Sequence, residues 1–221
     1  MLRRSFFITL VFGVLLATVL VSGCDLLGDD LTPSIGNVDV IGFEPHIQPI
    51  LDRQCASCHG GSRPRAGLSL EGWTQLIQGS EFGEVVIPFA SEDSRMIQKL
   101  KRVGDDTHPF DQGKDRLSED EVNLLTRWVD EGAIGPLGAV PFSNSINLAY
   151  IAHADEPYVS VLDMDAFVVV RRLDLTQHGF SERARVHHVA VEPDGAFWYA
   201  SVGSYRIGDL EGVVKFNRDN G

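Results

Sequence analysis

Apolar positions follow three patterns along the chain, and each pattern predicts a different kind of element. From Phe6 to Val21 they form a run without a charged residue, behind Arg3 and Arg4. Between Phe43 and Gly132 they recur at helical spacing. Phe43, Ile47, Ile50 and Leu51 fall on one stripe of a short helix that leads into Cys55. A stronger helix is expected from Leu117 to Gly132, where Ser118 and Glu121 have the spacing of a capping box, Leu117 and Val122 that of a hydrophobic staple, and Gly132 acts as a stop. Val122, Leu125 and Val129 line one face of it, with Leu124 and Trp128 beside them. A further helix follows Ser91, where Met96, Leu100 and Val103 make an apolar stripe whose default role is packing. Phe43 and Trp128 read as packing too, because both sit on apolar stripes. His46, next to Pro45 and close to Gln48, reads as a surface residue.

Beyond Pro136–Pro141, a short Gly/Pro linker, the pattern changes to strands. Leu148–Ala152, Tyr158–Leu162, Phe167–Leu173, Val189–Val191 and Phe197–Val202 are rich in Val, Tyr, Phe and Ile, and Pro193-Asp194-Gly195 is a tight turn. Ala149-Tyr150-Ile151-Ala152 followed by Tyr158-Val159-Ser160-Val161-Leu162-Asp163 recurs as Trp198-Tyr199-Ala200-Ser201 followed by Gly212-Val213-Val214-Lys215-Phe216-Asn217. A period of about fifty residues made of four short strands indicates a β-propeller. The segment resembles bacterial propeller repeats of the YVTN type, with His187-His188-Val189-Ala190-Val191 running into the turn. Only about one and a half blades are present, so the expectation is an incomplete β-propeller that belongs to a longer protein. His187 and His188 point to opposite faces of a strand and are read as structural or channel-lining, as are His153 and His178.

Composition narrows the function classes. The chain has 221 residues, 43% of them hydrophobic and 23% charged, which is ordinary for a folded globular protein. A net charge of −12 repels nucleic acid and excludes it as a partner. No paired carboxylates, nucleophile with a base, or phosphate-cradling glycine loop is visible, so no enzyme class is assigned.

The chain's three cysteines each have a chemical use. The Phe6–Val21 run ends in Val21-Ser22-Gly23-Cys24, and the small residues ahead of the cysteine resemble a bacterial lipoprotein signal. A spanning helix is the competing reading of a run this long. Residues 1–23 are then a signal peptide and Cys24 a lipid anchor that holds the protein at a membrane outside the cytoplasm, in the periplasm or at the cell surface. Residues 24–41, polar and acidic with Pro33 and several glycines, form a flexible tether.

Cys55-Ala56-Ser57-Cys58-His59 matches the attachment motif for c-type haem. Two thiols three positions apart on a helical turn share one face, where each can add across a vinyl group of the porphyrin. The adjoining His59 then reaches the iron as proximal ligand. A zinc site needs further ligands that the sequence lacks, and a thioredoxin-like motif needs a βαβ setting that it does not show. Arg63 and Arg65, just beyond, are candidates for pairing with haem propionates or a docking partner, or are solvated loop charges.

The span from Phe43 to Gly135 resembles the single-haem cytochrome domain common in planctomycetes and related bacteria. Pro49-Ile50-Leu51, Cys58-His59-Gly60, Gly67-Leu68-Ser69-Leu70, Val85-Val86-Ile87-Pro88, Leu117 to Glu121, and Trp128-Val129-Asp130-Glu131-Gly132-Ala133 carry the likeness in that order. The resemblance implies an all-α cytochrome c-like domain over residues 42–136, followed by the all-β segment 142–221, with one haem c and its iron serving single-electron transfer to a redox protein partner. In that family a Met-Pro supplies the second axial ligand, and here His108-Pro109 stands in its place. His108 is expected to replace the methionine, which would lower the reduction potential; Met96 or an open site are the alternatives. The other functions left open are an electron-acceptor domain built into a larger propeller oxidoreductase, and a propeller binding module that carries a cytochrome.

Overall fold

A computed structural model describes residues 40–101 and 116–218. Its first half is helical. The Phe43–Leu51 stripe forms in two pieces, a wide π-turn over Phe43–Ile47 and then helix α1, Gln48–Gln54. The physical reason lies in Pro49, which has no N–H to give to the ladder and so interrupts a continuous α-helix. Phe43, Ile47, Ile50 and Leu51 are all buried, as their spacing requires. A one-turn helix α2, Ala56–His59, follows directly. His46 departs from its expected surface role. It is half-buried, and its Nδ1 accepts the Gly42 N–H at 2.9 Å.

Helix α3, Trp73–Gln78, is too short to show a period in the sequence, and helix α4 spans Arg95–Lys101. On α4 the fully buried residue is Ile97, whereas Met96 and Leu100 are half-buried against the core; Val103 lies outside the described residues. Helix α5, Glu119–Asp130, starts at the expected capping box: Glu121 N–H donates to Ser118 Oγ at 3.2 Å, and Ser118 N–H donates to the Glu121 carboxylate at 2.8 Å. The Arg53 guanidinium on α1 pairs with the same carboxylate, so the cap also ties α1 to α5. Gly132, at φ +105°, ends the helix where a Cβ would meet the Phe89 ring at 2.6 Å. Leu124, Leu125, Trp128 and Val129 are buried and join the α1 stripe in one core.

Residues 136–141 are a bound turn, not a loose linker. Pro136–Gly138 forms a tight helical turn, Gly135 N–H donates to Ala139 O at 2.9 Å, and the Pro141 carbonyl accepts from Arg171. The β part is two three-stranded antiparallel sheets in meander order. The first holds β1 (Leu148–Ala152), β2 (Tyr158–Asp163) and β3 (Val168–Asp174); the second holds β4 (Arg185–Val191), β5 (Phe197–Gly203) and β6 (Gly212–Asn217). Each strand lies within a few residues of its expected position, and β4 extends four residues farther toward the amino terminus. The expected four-stranded blades are not seen among the described residues; three strands per sheet are. Gly195, at φ +70°, closes the β4–β5 turn.

The two parts touch at named points. Phe142 packs against both the helical core and the first sheet, Val169 N–H donates to Glu84 at 3.2 Å, and Arg172 pairs with Asp93 at 3.5 Å.

Asp163 anchors the end of β2. Burial works against its charge, but hydrogen bonds from the Ser145 hydroxyl and the amides of Ala166 and Asp165 outweigh it and hold its carboxyl below the usual range. Because the folded value lies below the unfolded one, its stabilisation is complete above about pH 4 and fades as pH falls through the folded value. Asp163→Ala strands three donors and is expected to cost about 2 kcal/mol or more at neutral pH. Denaturant midpoints of both proteins at neutral and strongly acidic pH check this, with the difference shrinking in acid.

Candidate functional site

The candidate site begins where α1 runs out. Cys55 caps α1, and its carbonyl accepts from both Cys58 N–H at 3.1 Å and His59 N–H at 3.0 Å. Those two bonds wind Cys55–His59 into a single turn. They place the two thiols and the imidazole against one cavity, with exposed Ser57 outside its wall. No disulfide joins the two cysteines.

The chain after His59 folds back over the ring. Gly60 continues in extended form, where a Cβ would sit 2.7 Å from the Ala56 carbonyl, so a side chain here would force the α2 turn apart. Leu70 N–H donates to His59 O at 2.7 Å, and Gly61 N–H donates to Glu71 at 2.8 Å. A tight turn over Arg65–Gly67 brings the Arg65 carbonyl 3.1 Å from His59 Nδ1. A carbonyl only accepts, so this hydrogen bond places a proton on Nδ1, and in the neutral imidazole the lone pair is then on Nε2. That tautomer is the one a metal-bound imidazole needs, oriented by a backbone acceptor behind it.

The cavity has a volume of about 370 Å³. Leu51, Leu70, Leu76, Val85, Leu100 and Leu125 are among the apolar residues that line it, and Met96 joins them from α4. Polar atoms come from Gln54 and Ser80, and charge from Arg95 and Lys99. A flat, apolar macrocycle with two vinyl groups, a metal at its centre and carboxylates on one edge suits this set: two thiols, one correctly protonated imidazole, a leucine-lined wall and two cations.

The other residues expected at the site fall as follows. Met96 is in the cavity wall. His108 and Cys24 lie outside the described residues. Arg63 and Arg65 are exposed and do not line the cavity. His153 meets Ser160 Oγ at 3.0 Å, His178 stands edge-on to Phe216 at 5.2 Å, and His187 and His188 are exposed on β4. No cluster of His, Cys, Asp and Glu suited to a metal ion occurs among the described residues. The sequence patterns did not reveal the wall contributed by α3, Phe82 and the cations of α4. Leu76 and Ile77 were the available signal, but two adjacent apolar residues fix no helical phase.

A turn that presents Cys, Cys and His to an apolar cavity is an arrangement able to hold a c-type haem. Residues 55–108 match the family described as Planctomycete cytochrome C, a stretch well under half of the chain. Searches of curated proteins and of solved structures give no match. The domain's cofactor is covalently bound c-type haem with its iron, and Cys55 and Cys58 lie within the matched residues. The chain therefore carries a haem-binding electron-transfer module, a kind of domain typically found outside the cytoplasm. No helix among the described residues is long and apolar enough to cross a membrane.

Proposed function

We propose that this chain is an exported, lipid-anchored cytochrome in which one haem is held by Cys55 and Cys58 and ligated by His59, and which passes single electrons to a redox protein partner. The observation that carries the reading is the one-turn array of two thiols and an imidazole whose Nδ1 is committed to the Arg65 carbonyl. Iron in such a group takes up or gives up one electron at a time. The chain's own residues do the rest. The thiols hold the ring, His59 is kept in orientation by the folded-back 60–71 loop, and the leucine wall excludes water and lowers the local dielectric. His108, which stands where the family has methionine, would supply the second iron ligand, with Met96 of the cavity wall or an open position as the alternatives. The amino-terminal 1–23 segment is the signal peptide, and Cys24 is the anchor to a bacterial membrane.

A second reading has a specific observation behind it. The β1–β2 hairpin and the β5–β6 hairpin follow the internal sequence repeat, as adjoining blades of a propeller would. Together with the contacts that bind the first sheet to the helical part, this favours a haem domain docked on a larger propeller, either as electron acceptor of an oxidoreductase or as cargo of a binding module.

The test is to export the full chain in a host that matures c-type cytochromes, then record its mass and spectrum. The expected result is one haem and a set of acyl chains per protein, with a low-spin spectrum that His108→Ala converts to high-spin and Met96→Ala leaves unchanged. The reverse pattern assigns the ligand to Met96, and a colourless protein ends the proposal.

A further inference from the structure

The cavity beside His59 is apolar over most of its described wall, yet the charges it does carry are both positive. Arg95 and Lys99 line it, and no carboxylate among the described residues does. This stands out in a chain with 31 acidic and 19 basic residues. The two cations are four positions apart on α4, so they share a face one turn apart. Met96 and Leu100 line the cavity from the same helix. Both cationic residues are exposed, which fits side chains whose stems lie along the apolar wall while their heads stay in water. Arg95 is already steadied, because its Nη1 donates to the Phe82 carbonyl at 3.1 Å while the rest of its five-donor fork can serve a ligand.

An iron porphyrin brings two carboxylates on one edge. Those groups are costly against an apolar wall and stable against cations that donate hydrogen bonds. Resting on the haem reading above, we infer that Arg95 and Lys99 form the binding site for the carboxylates of the porphyrin edge. Arg95 acts as a directional N–H donor and Lys99 as a mobile point charge. Thioether bonds to Cys55 and Cys58 and this clamp on α4 then fix the ring's rotation within the cavity from two separate elements.

The site has an electrostatic consequence that a purely structural role for α4 would not produce. The ferric state carries one more positive charge than the ferrous state, so cations nearby disfavour it. Removing them lowers the midpoint potential. The same cations also keep the ring's carboxylates ionised, so removing them moves the proton-linked part of the potential curve to higher pH.

The test is potentiometric titration across the neutral pH range of the full, haem-loaded chain carrying Arg95→Gln, Lys99→Gln, or both. Lys101→Gln serves as the charge-loss control; that residue is on the same helix but pairs with Glu92 at 2.5 Å and does not line the cavity. The double variant is expected to shift the one-electron equilibrium toward the ferric form on the order of tenfold, about 59 mV, together with the upward move in pH. Lys99→Arg keeps the wild-type curve. If loss of the Arg95 bond to Phe82 prevents maturation, Lys99→Gln alone carries the test, with a smaller shift in the same directions. A midpoint and pH profile that match wild type, or a shift no larger than that of Lys101→Gln, overturns the clamp while leaving the haem reading intact. A wild-type chain that binds no pigment overturns both.

Discussion

Replacing Cys55 and Cys58 together by serine is expected to leave a chain whose pigment, if any, is stripped by acidic organic solvent, while the parent keeps it. The argument is one of bond types. On the proposed reading two carbon–sulfur bonds and one iron–imidazole bond hold the ring in the parent; in the variant only the imidazole would remain, and that bond is reversible. Acid protonates the imidazole and releases the ring. The loss is also expected to reach folding. Without its contents, an apolar cavity of about 370 Å³ between α1, α3, α4 and α5 must be flooded or collapse, which costs on the order of several kcal/mol. The variant is therefore expected to unfold at distinctly lower denaturant than the parent, and to expose apolar surface to a hydrophobic dye. Intact-mass measurement after denaturation gives the first readout and a denaturant titration the second. A variant that retains haem mass after denaturation removes Cys55 and Cys58 from the attachment role.

Much of this site was legible because its chemistry is local. Cys55, Cys58 and His59 lie within one helical turn, so their convergence needs no knowledge of tertiary structure. The same holds for the Ser118–Glu121 cap, whose two bonds span three residues, and for the strands, whose side-chain period is two. What the sequence does not show is set by backbone acceptors or by distant partners. The acceptor behind His59 is the carbonyl of Arg65, and a carbonyl leaves no mark on the residue type that carries it. Trp73 donates through its indole N–H to the Ala133 carbonyl at 2.8 Å, and Gly135 lies so close that a Cβ there would be 2.4 Å from the ring. Each is a single residue whose role depends on a neighbour some sixty positions away. On α4 the spacing of Met96 and Leu100 predicts packing, and both do pack against the core. What the spacing does not show is that Met96 and Leu100 also line the cavity, flanked by Arg95 and Lys99, while Ile97 is the fully buried residue of the helix. Periodicity gives the phase of a helix but does not say what lies on either side of it.

Trp128→Ala is expected to be the most destabilising single substitution in the helical part, at about 3 to 5 kcal/mol. The ring is 1% exposed, lies 5.6 Å from the ring of Phe43, and donates from Nε1 to the Ile134 carbonyl at 2.9 Å. Truncation leaves a cavity, removes an aromatic contact and strands a carbonyl. Trp128→Phe keeps most of the buried area and loses only the hydrogen bond, so about 1 to 2 kcal/mol is expected for it. Leu125, one turn earlier on α5, lines the cavity beside His59, so on the proposed reading the haem absorbance band is the natural probe of this core. In the β part Trp198 holds the corresponding place, 1% exposed and stacked on Phe216 at 4.3 Å. Among the described residues the contacts joining the two parts include Phe142, the Arg171 guanidinium 5.1 Å from the centre of the Phe89 ring, the Glu84 bond to Val169, and the Asp93–Arg172 pair, in which burial first and the nearby carboxylates Asp174, Glu92 and Glu156 raise the Asp93 pKa against the pull of Arg172. Among the described residues the helical core and the core around Trp198 have no member in common, so the two can lose structure in separate steps. Trp128→Ala should therefore move the haem-band transition and Trp198→Ala the β-sheet signal in the far-ultraviolet, each leaving the other nearly in place. Equal movement of both signals in both variants would show that the Asp93–Arg172 contact and its neighbours bind the helices and sheets into a single folding unit.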